Sequence, residues 1–287
     1  MVPTLLSGFT IDRPTTPAEA SQLLREYGDE GRAYAGGTEL LLAMKQGGLR
    51  YAHLVDLKTI AGLDSIESVN GGMKIGALAT HLNIERSPLV RERLPIFARM
   101  EHRVANVRVR TTGTLGGNLC FAEPHSDPAT LLLCLDTRLR TSERELSVDE
   151  FLVGSYETAL QIDELLESIT IGALAPTQRA AYEKFQVREY PMLGLALVLD
   201  LDDRHDHVTR ARLAVGSVSP TPRRSASAEA LLSGDIAEVA GRLDQAADAL
   251  ADDAELIDDL EGSADYKRHL IHVFLERVWQ QALNTTA

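Results

Sequence analysis

The stretch Val109–Leu135 reads VRTTGTLGGNLCFAEPHSDPATLLLCL. Two adjacent glycines, Gly116 and Gly117, sit between Thr114 and Asn118, and a polar turn, Glu123–Asp127, follows closely. Glycine lets backbone N–H groups approach a partner that a Cβ would hold away. Flanked by a hydroxyl and an amide, the pair suggests a loop that grips phosphate or ribose oxygens. A plain tight turn is the other reading of the same residues. Asp127-Pro128 reads as a helix start, with Asp as N-cap and Pro at the first helical position. The run Ala129–Leu135 is then a short buried helix behind the loop.

A second stretch of the same character lies upstream. Arg32–Ala35 reads as a short strand, followed by Gly36-Gly37-Thr38 and a helix-like run Glu39–Gln46 that Gly47-Gly48 closes. Strand, glycine turn and helix start together aim N–H groups at a phosphate. The GxGxxG and GK[ST] patterns are both absent, which excludes the Rossmann fingerprint and the Walker A loop. Glu39 suits the positive end of a helix dipole, so capping is one role for it and a ribose contact another.

Working outward, Thr16-Pro17-Ala18-Glu19 has the form of a capping box before the helix that Leu23, Leu24 and Tyr27 make amphipathic. His53–Leu57, Met73–Leu78, Arg138–Thr141 and Glu164–Ile171 read as strands, and Pro95–Val104 as a helix. Ala173–Gln178, with Pro176, marks a domain boundary. Beyond it Ala181–Val187, Gly194–Asp200 and Val208–Ser217 read as three strands, with Asp202–Asp206 as a hairpin loop. Glu229–Leu232 and Ile236–Leu250 are helical. Ser263 caps a final helix with Tyr266, Leu270, Phe274, Val278 and Trp279 along one side.

Composition narrows the function. With 287 residues and 44% hydrophobic content the chain has material for a real core. A net charge of −13 argues against nucleic acid or an anionic membrane surface as partner. No apolar run approaches the roughly 20 residues a bilayer span requires. MVPTLLSGF lacks the basic and apolar regions of a signal peptide, so a cytoplasmic setting with reduced thiols is expected. The two cysteines, Cys120 and Cys134, cannot by themselves hold a four-thiolate iron–sulfur cluster, and the eight histidines show no zinc pattern. No metal site and no catalytic dyad or triad is expected.

AGGTELLLAMKQG (Ala35–Gly47) together with TLGGN (Thr114–Asn118) resembles the FAD-binding medium subunit of molybdenum hydroxylases, the family of carbon monoxide dehydrogenase and xanthine dehydrogenase. The similarity continues through LVDL (Leu54–Leu57), IGA (Ile75–Ala77), Ser126-Asp127, YEKF (Tyr182–Phe185) and ARLAVGSVSPTPRR (Ala211–Arg224). It implies an α+β fold: a FAD-binding domain of the molybdopterin dehydrogenase flavoprotein type over 1–175, in two α/β subdomains split near 60. A smaller C-terminal flavoprotein domain over 176–287, with a three-stranded antiparallel sheet and helices, follows. It implies that Ala35, Gly36, Gly37, Thr38, Glu39 and Leu40 form one clasp on the FAD pyrophosphate. Thr114, Leu115, Gly116, Gly117 and Asn118 form a second, the Thr114 hydroxyl donating to phosphate. Asp127 matches an aspartate that accepts from ADP-ribose, and Lys184 a lysine near the flavin in some members. Met192 stands where several members place tyrosine or isoleucine against the flavin face. Strand alternation puts Tyr190 on the same side, so either can shield the ring. Arg110-Thr111 departs from the Arg-Asn common before the second loop.

The resemblance further implies a FAD-dependent oxidoreductase subunit that takes electrons from an iron–sulfur small subunit. A molybdenum-cofactor large subunit performs substrate hydroxylation, and NAD, a quinone or oxygen is the final acceptor. An autonomous flavoenzyme on the same scaffold, and a protein-binding scaffold that has lost FAD, are the rival expectations.

Overall fold

The computed structural model describes residues 8–284, so most of the N-terminal stretch read above, Met1–Ser7, lies outside the described residues. The chain forms two compact units. The first comprises residues 1–90, 101–122 and 137–171; the second comprises 91–100, 123–136 and 172–287.

In the first unit, a three-stranded parallel sheet has the order Thr10–Asp12, His53–Asp56, Gly31–Tyr34. Parallel neighbours need a crossover. The helix Leu40–Gln46 supplies it between Gly31–Tyr34 and its neighbour His53–Asp56, while the helix Pro17–Tyr27 joins the two outer strands and buries Ala20 and Leu24 in a core with Val55, Leu57 and Ile60. Thr16 caps this helix by accepting from the Glu19 N–H. The reciprocal half of the expected capping box is displaced by one residue, since the Glu19 carboxylate accepts from the Thr15 N–H and hydroxyl. The reciprocal box does form at Ser147 and Glu150, which start the helix Val148–Phe151. A second sheet is antiparallel in the order Ile66–Val69, Gly72–Gly76, Leu166–Ile171, Thr137–Thr141, Glu145–Leu146.

The second unit is built on the meander Gln178–Gln186, Pro191–Leu201, His207–Gly216. Two short strands, Arg223–Arg224 and Gly234–Asp235, add to its last member. Alternation along the central strand sends Leu193, Leu195, Leu197 and Leu199 into one core. That core is shared with the helices Leu243–Asp253 and Ala264–Asn284. Leu270, Phe274, Val278 and Trp279 are buried as expected, whereas Tyr266 is 42% exposed. The helix read over Ile236–Leu250 is two, Ile236–Ala240 and Leu243–Asp253, because Arg242 leaves the helical path.

The opposite face of the meander carries the helix Asp127–Cys134, which belongs to this unit and not to the unit of the glycine turn preceding it. Gly194 and Gly216 lie directly opposite each other in register. A Cβ on Gly216 would sit 1.9 Å from the Thr130 hydroxyl, and one on Gly194 2.7 Å from the Tyr182 hydroxyl. Gly216 therefore makes room for the helix, and Gly194 for the Tyr182 side chain. Among the described residues no helix is long and apolar enough to cross a membrane.

Leu197 is fully buried at the centre of the meander. Leu197→Ala is expected to destabilise the second unit by about 2–5 kcal/mol. Denaturant unfolding followed by fluorescence measures this, because Trp279, the single tryptophan, is buried in the same core.

Candidate functional site

The first glycine turn leaves the strand Gly31–Tyr34 and enters the helix Leu40–Gln46. Gly37 has φ +70°, a left-handed conformation that favours glycine. A Cβ there would also stand 2.5 Å from the Tyr34 ring. Gly36 is pressed against the segment leading to the second turn: an added Cβ would lie 2.1 Å from the Thr112 carbonyl oxygen and 2.9 Å from the Gly113 Cα. An added Cβ at Gly113 would in turn lie 3.4 Å from the Thr38 hydroxyl. Thus the two turns that the sequence separates by some 75 residues are neighbours in the first unit.

Their backbone donors are in different states. In the second turn the Leu115 N–H donates to Ala79 O at 3.0 Å and the Gly116 N–H to Ala77 O at 2.9 Å. The Gly117 N–H donates to the Thr114 hydroxyl at 3.0 Å, and the Asn118 N–H to Thr114 O at 2.9 Å. Thr114 is the N-cap of a helix, Leu115–Phe121, where the sequence suggests a loop. Adjacent glycines disfavour a helix. Gly116 is retained because a Cβ would stand 2.5 Å from that of Ala77. In the first turn, by contrast, the N–H groups of Gly36, Gly37, Thr38 and Leu40 donate to no described residue. Glu39 makes no side-chain cap on the helix it precedes.

Behind the second turn His81 Nδ1 lies 2.6 Å from Glu101 Oε2, both side chains being buried, and the His81 N–H donates to Gly113 O. The half-buried Cys120 has its thiol pushed up to about 12 by burial, against the pull of the Arg32 charge. Burial also raises Cys134 to about 12. Neither is a nucleophile near neutral pH.

In the second unit Asp127 is not an N-cap. Ser126 holds that position, and the Asp127 carboxylate accepts from the Tyr182 hydroxyl at 2.6 Å and from Lys184 Nζ at 2.7 Å. All three side chains are buried. Tyr182 and Lys184 project from the face that pairs with Ala196 and Gly194, so one strand presents both donors to one carboxylate. Tyr190 precedes the strand that begins at Pro191, so strand alternation does not relate it to Met192. Its ring lies 5.6 Å from that of His125, whereas Met192 packs against the leucine core.

His125 carries no local signal in the sequence beyond its place in the polar turn Glu123–Asp127. Its Nδ1 lies 2.8 Å from Glu123 Oε1 and its Nε2 3.4 Å from Asp259 Oδ2. Burial works against the charged ring, but Glu123 and then Asp259 outweigh it and raise the pKa above the usual 6.5. Asp259 in turn accepts from the buried Lys267. Among the described residues no group of His, Cys, Asp and Glu could hold a metal ion.

A raised histidine pKa contributes stability that is complete below the unfolded value of 6.5 and lost as pH rises through the folded value. NMR titration of the imidazole is expected to place His125 above 6.5, and Glu123→Gln to bring it down. For Cys120, a pKa of about 12 leaves about one thiol in ten thousand ionised at pH 8. Alkylation of the native chain at that pH is therefore expected to be far slower than that of the unfolded chain.

Residues 7–194 match the FAD binding domain in molybdopterin dehydrogenase, and residues 180–282 the CO dehydrogenase flavoprotein C-terminal domain. The carbon monoxide dehydrogenase medium chain of Hydrogenophaga pseudoflava is 30% identical over 96% of each chain. The caffeine dehydrogenase subunit beta of Pseudomonas sp. (strain CBB1) is 30% identical over 79% of each. The solved structure of carbon monoxide dehydrogenase from Hydrogenophaga pseudoflava superposes with a TM-score of 0.92, at 29% identity over 100% of each chain. Quinoline 2-oxidoreductase from Pseudomonas putida 86 gives 0.88, at 26% identity over 97% and 98%. The chain belongs to the FAD-binding flavoprotein subunits of the molybdenum hydroxylase family, and is an oxidoreductase subunit of the α+β fold those relatives share.

Proposed function

We propose that this chain relays electrons from the iron–sulfur clusters of a partner small subunit to an external acceptor such as NAD, a quinone or oxygen. Substrate hydroxylation then belongs to a molybdenum-cofactor large subunit. FAD, when bound, supplies the redox chemistry; the protein supplies binding, orientation and potential. With two cysteines the chain cannot house four-thiolate clusters itself, which supports a partner as their carrier.

The observation that carries this reading is the set of amides at Gly36, Gly37, Thr38 and Leu40 with no acceptor among the described residues, set against the committed amides at Leu115, Gly116, Gly117 and Asn118. Open N–H groups in a turn that no Cβ crowds suit a pyrophosphate. Ala35 and Glu39 frame that turn. The second turn acts as its platform, and the Thr114 hydroxyl, its oxygen fixed by the Gly117 N–H, still has its own proton to donate to phosphate. In the second unit Asp127 orients Lys184, whose charge stabilises negative charge on the reduced flavin. Its oxygens keep lone pairs for a ribose hydroxyl. Tyr190 or Met192 shields the ring.

Purified full chain should release FAD on denaturation. With its partner subunits present, substrate should bleach the flavin absorbance; the chain alone should not respond to that substrate. Bleaching by an organic substrate without partners would replace the relay with an autonomous flavoenzyme. Lys184→Met is expected to lower the flavin midpoint potential, measured by dye-coupled reductive titration, because the cation favours the reduced form.

A further inference from the structure

Lys58 lies just beyond the strand His53–Asp56, away from either glycine turn in the sequence. Its ammonium has three partners. Nζ lies 2.6 Å from Asp56 Oδ1, donates to the Ala35 carbonyl at 2.9 Å, and stands 3.7 Å from the centroid of the Tyr34 ring. An ammonium has three N–H donors, and here a carboxylate, a carbonyl and an aromatic face take them up. The side chain is nevertheless 44% exposed. A lysine of that exposure ordinarily keeps its head in water.

Each of the three partners leads to the first glycine turn. Tyr34 is the residue whose ring closes on Gly37. Asp56 is held in place because its Oδ1 also accepts from the Lys58 N–H. Ala35 O belongs to the peptide group that ends on the Gly36 nitrogen. In a trans peptide the C=O and the following N–H point in opposite directions, and the described chain has no cis bond. A carbonyl pinned toward Lys58 therefore turns the Gly36 N–H away from Lys58. That N–H is one of the donors with no acceptor among the described residues. Gly36 is itself packed against the Thr112 carbonyl, which an added Cβ would meet at 2.1 Å. The peptide is thus held at its carbonyl by Lys58 and at the Gly36 Cα by close packing.

We propose that Lys58 is a positioning residue for pyrophosphate binding: by anchoring the Ala35 carbonyl it aims the Gly36 N–H at a phosphate oxygen. This deepens, and rests on, the reading of the Ala35–Leu40 turn as the pyrophosphate clasp. Lys58 does so without touching the phosphate, since its own donors are occupied. Its contribution is therefore orientational, and an arginine, which keeps the charge but not the three-fold arrangement of donors, does not replace it.

The test uses full chain stripped of flavin, with ADP, FAD and riboflavin as probes in calorimetric titrations. ADP and FAD carry the pyrophosphate, and riboflavin does not. Lys58→Met and Lys58→Arg should each weaken ADP and FAD by about ten-fold, the scale of one misdirected charge-assisted hydrogen bond. Riboflavin affinity and the midpoint of thermal unfolding should stay as in the unsubstituted chain. Should Lys58→Met fold poorly, Asp56→Asn loosens the same anchor and should give the same loss confined to ADP and FAD. Unchanged ADP affinity in Lys58→Met, or full recovery in Lys58→Arg, overturns the positioning role while leaving the clasp intact. A loss that includes riboflavin also overturns it. Failure of the unsubstituted chain to bind ADP or FAD would remove the clasp, and this proposal with it.

Discussion

The placing of the two turns in the first unit depends on contacts where backbone meets backbone or a methyl group with no space for a Cβ. Gly36 lies against the Thr112 carbonyl, and Gly116 against Ala77. The first contact brings the two turns side by side, and the second seats the second turn on Ala77, with a division of labour between the turns. The second turn spends its N–H groups on Ala77, Ala79 and the Thr114 side chain and carbonyl, so it is rigid and closed. The first leaves several N–H groups without an acceptor among the described residues. A buried amide without a partner costs about 1–3 kcal/mol, so such donors persist only where water or a ligand reaches them. The half-buried Gly36 and Gly37 satisfy that condition.

The second unit applies the same steric device to a different end. Gly216 admits the helix Asp127–Cys134 onto the sheet, and Gly194, paired with it across the meander, admits the Tyr182 ring. The first turn of the helix thereby delivers Asp127 to Tyr182 and Lys184. A buried lysine or a buried aspartate alone would be strongly unfavourable, and breaking such a pair commonly costs 3–5 kcal/mol. Here each carboxylate oxygen receives one donor, so both charges are kept at fixed positions. The hydroxyl and the ammonium come from residues two apart on one strand, which is why they reach the same carboxylate.

Much of this was legible in the sequence because it is written in local patterns. The alternating leucines of Leu193–Leu199, the Thr16 cap and the stripe Leu270–Trp279 each follow from a period or a cap that a short window contains. The misreadings arise where tertiary contacts override local preference. TLGGN looks like a loop because two glycines disfavour a helix, yet Ala77 demands a residue without a side chain at Gly116. Asp127 looks like an N-cap, yet two donors some 55 residues downstream claim its carboxylate, and Ser126 takes the position. Glu19 slips by one because Thr15 offers both an N–H and a hydroxyl. His125 and Lys58 had no signal at all: one histidine in a polar turn and one lysine after a strand acquire meaning only from Glu123 with Asp259, and from Ala35 with Tyr34.

The chain's charge sharpens the account of the first turn. A net −13 opposes the approach of a pyrophosphate at long range. At physiological ionic strength that repulsion decays over about 8 Å, so donors in direct contact decide the affinity. Amides are suited to this because they are neutral, cannot be titrated away and need no counter-charge. Their weakness is orientation, since a peptide plane can rotate, and a donor turned aside contributes nothing. A lysine used as a ligand would supply charge with little constraint. Lys58, used as an anchor between Asp56, Ala35 and Tyr34, supplies constraint instead. In an acidic protein that must hold an anion, fixing the direction of neutral donors is the more effective use of a cation.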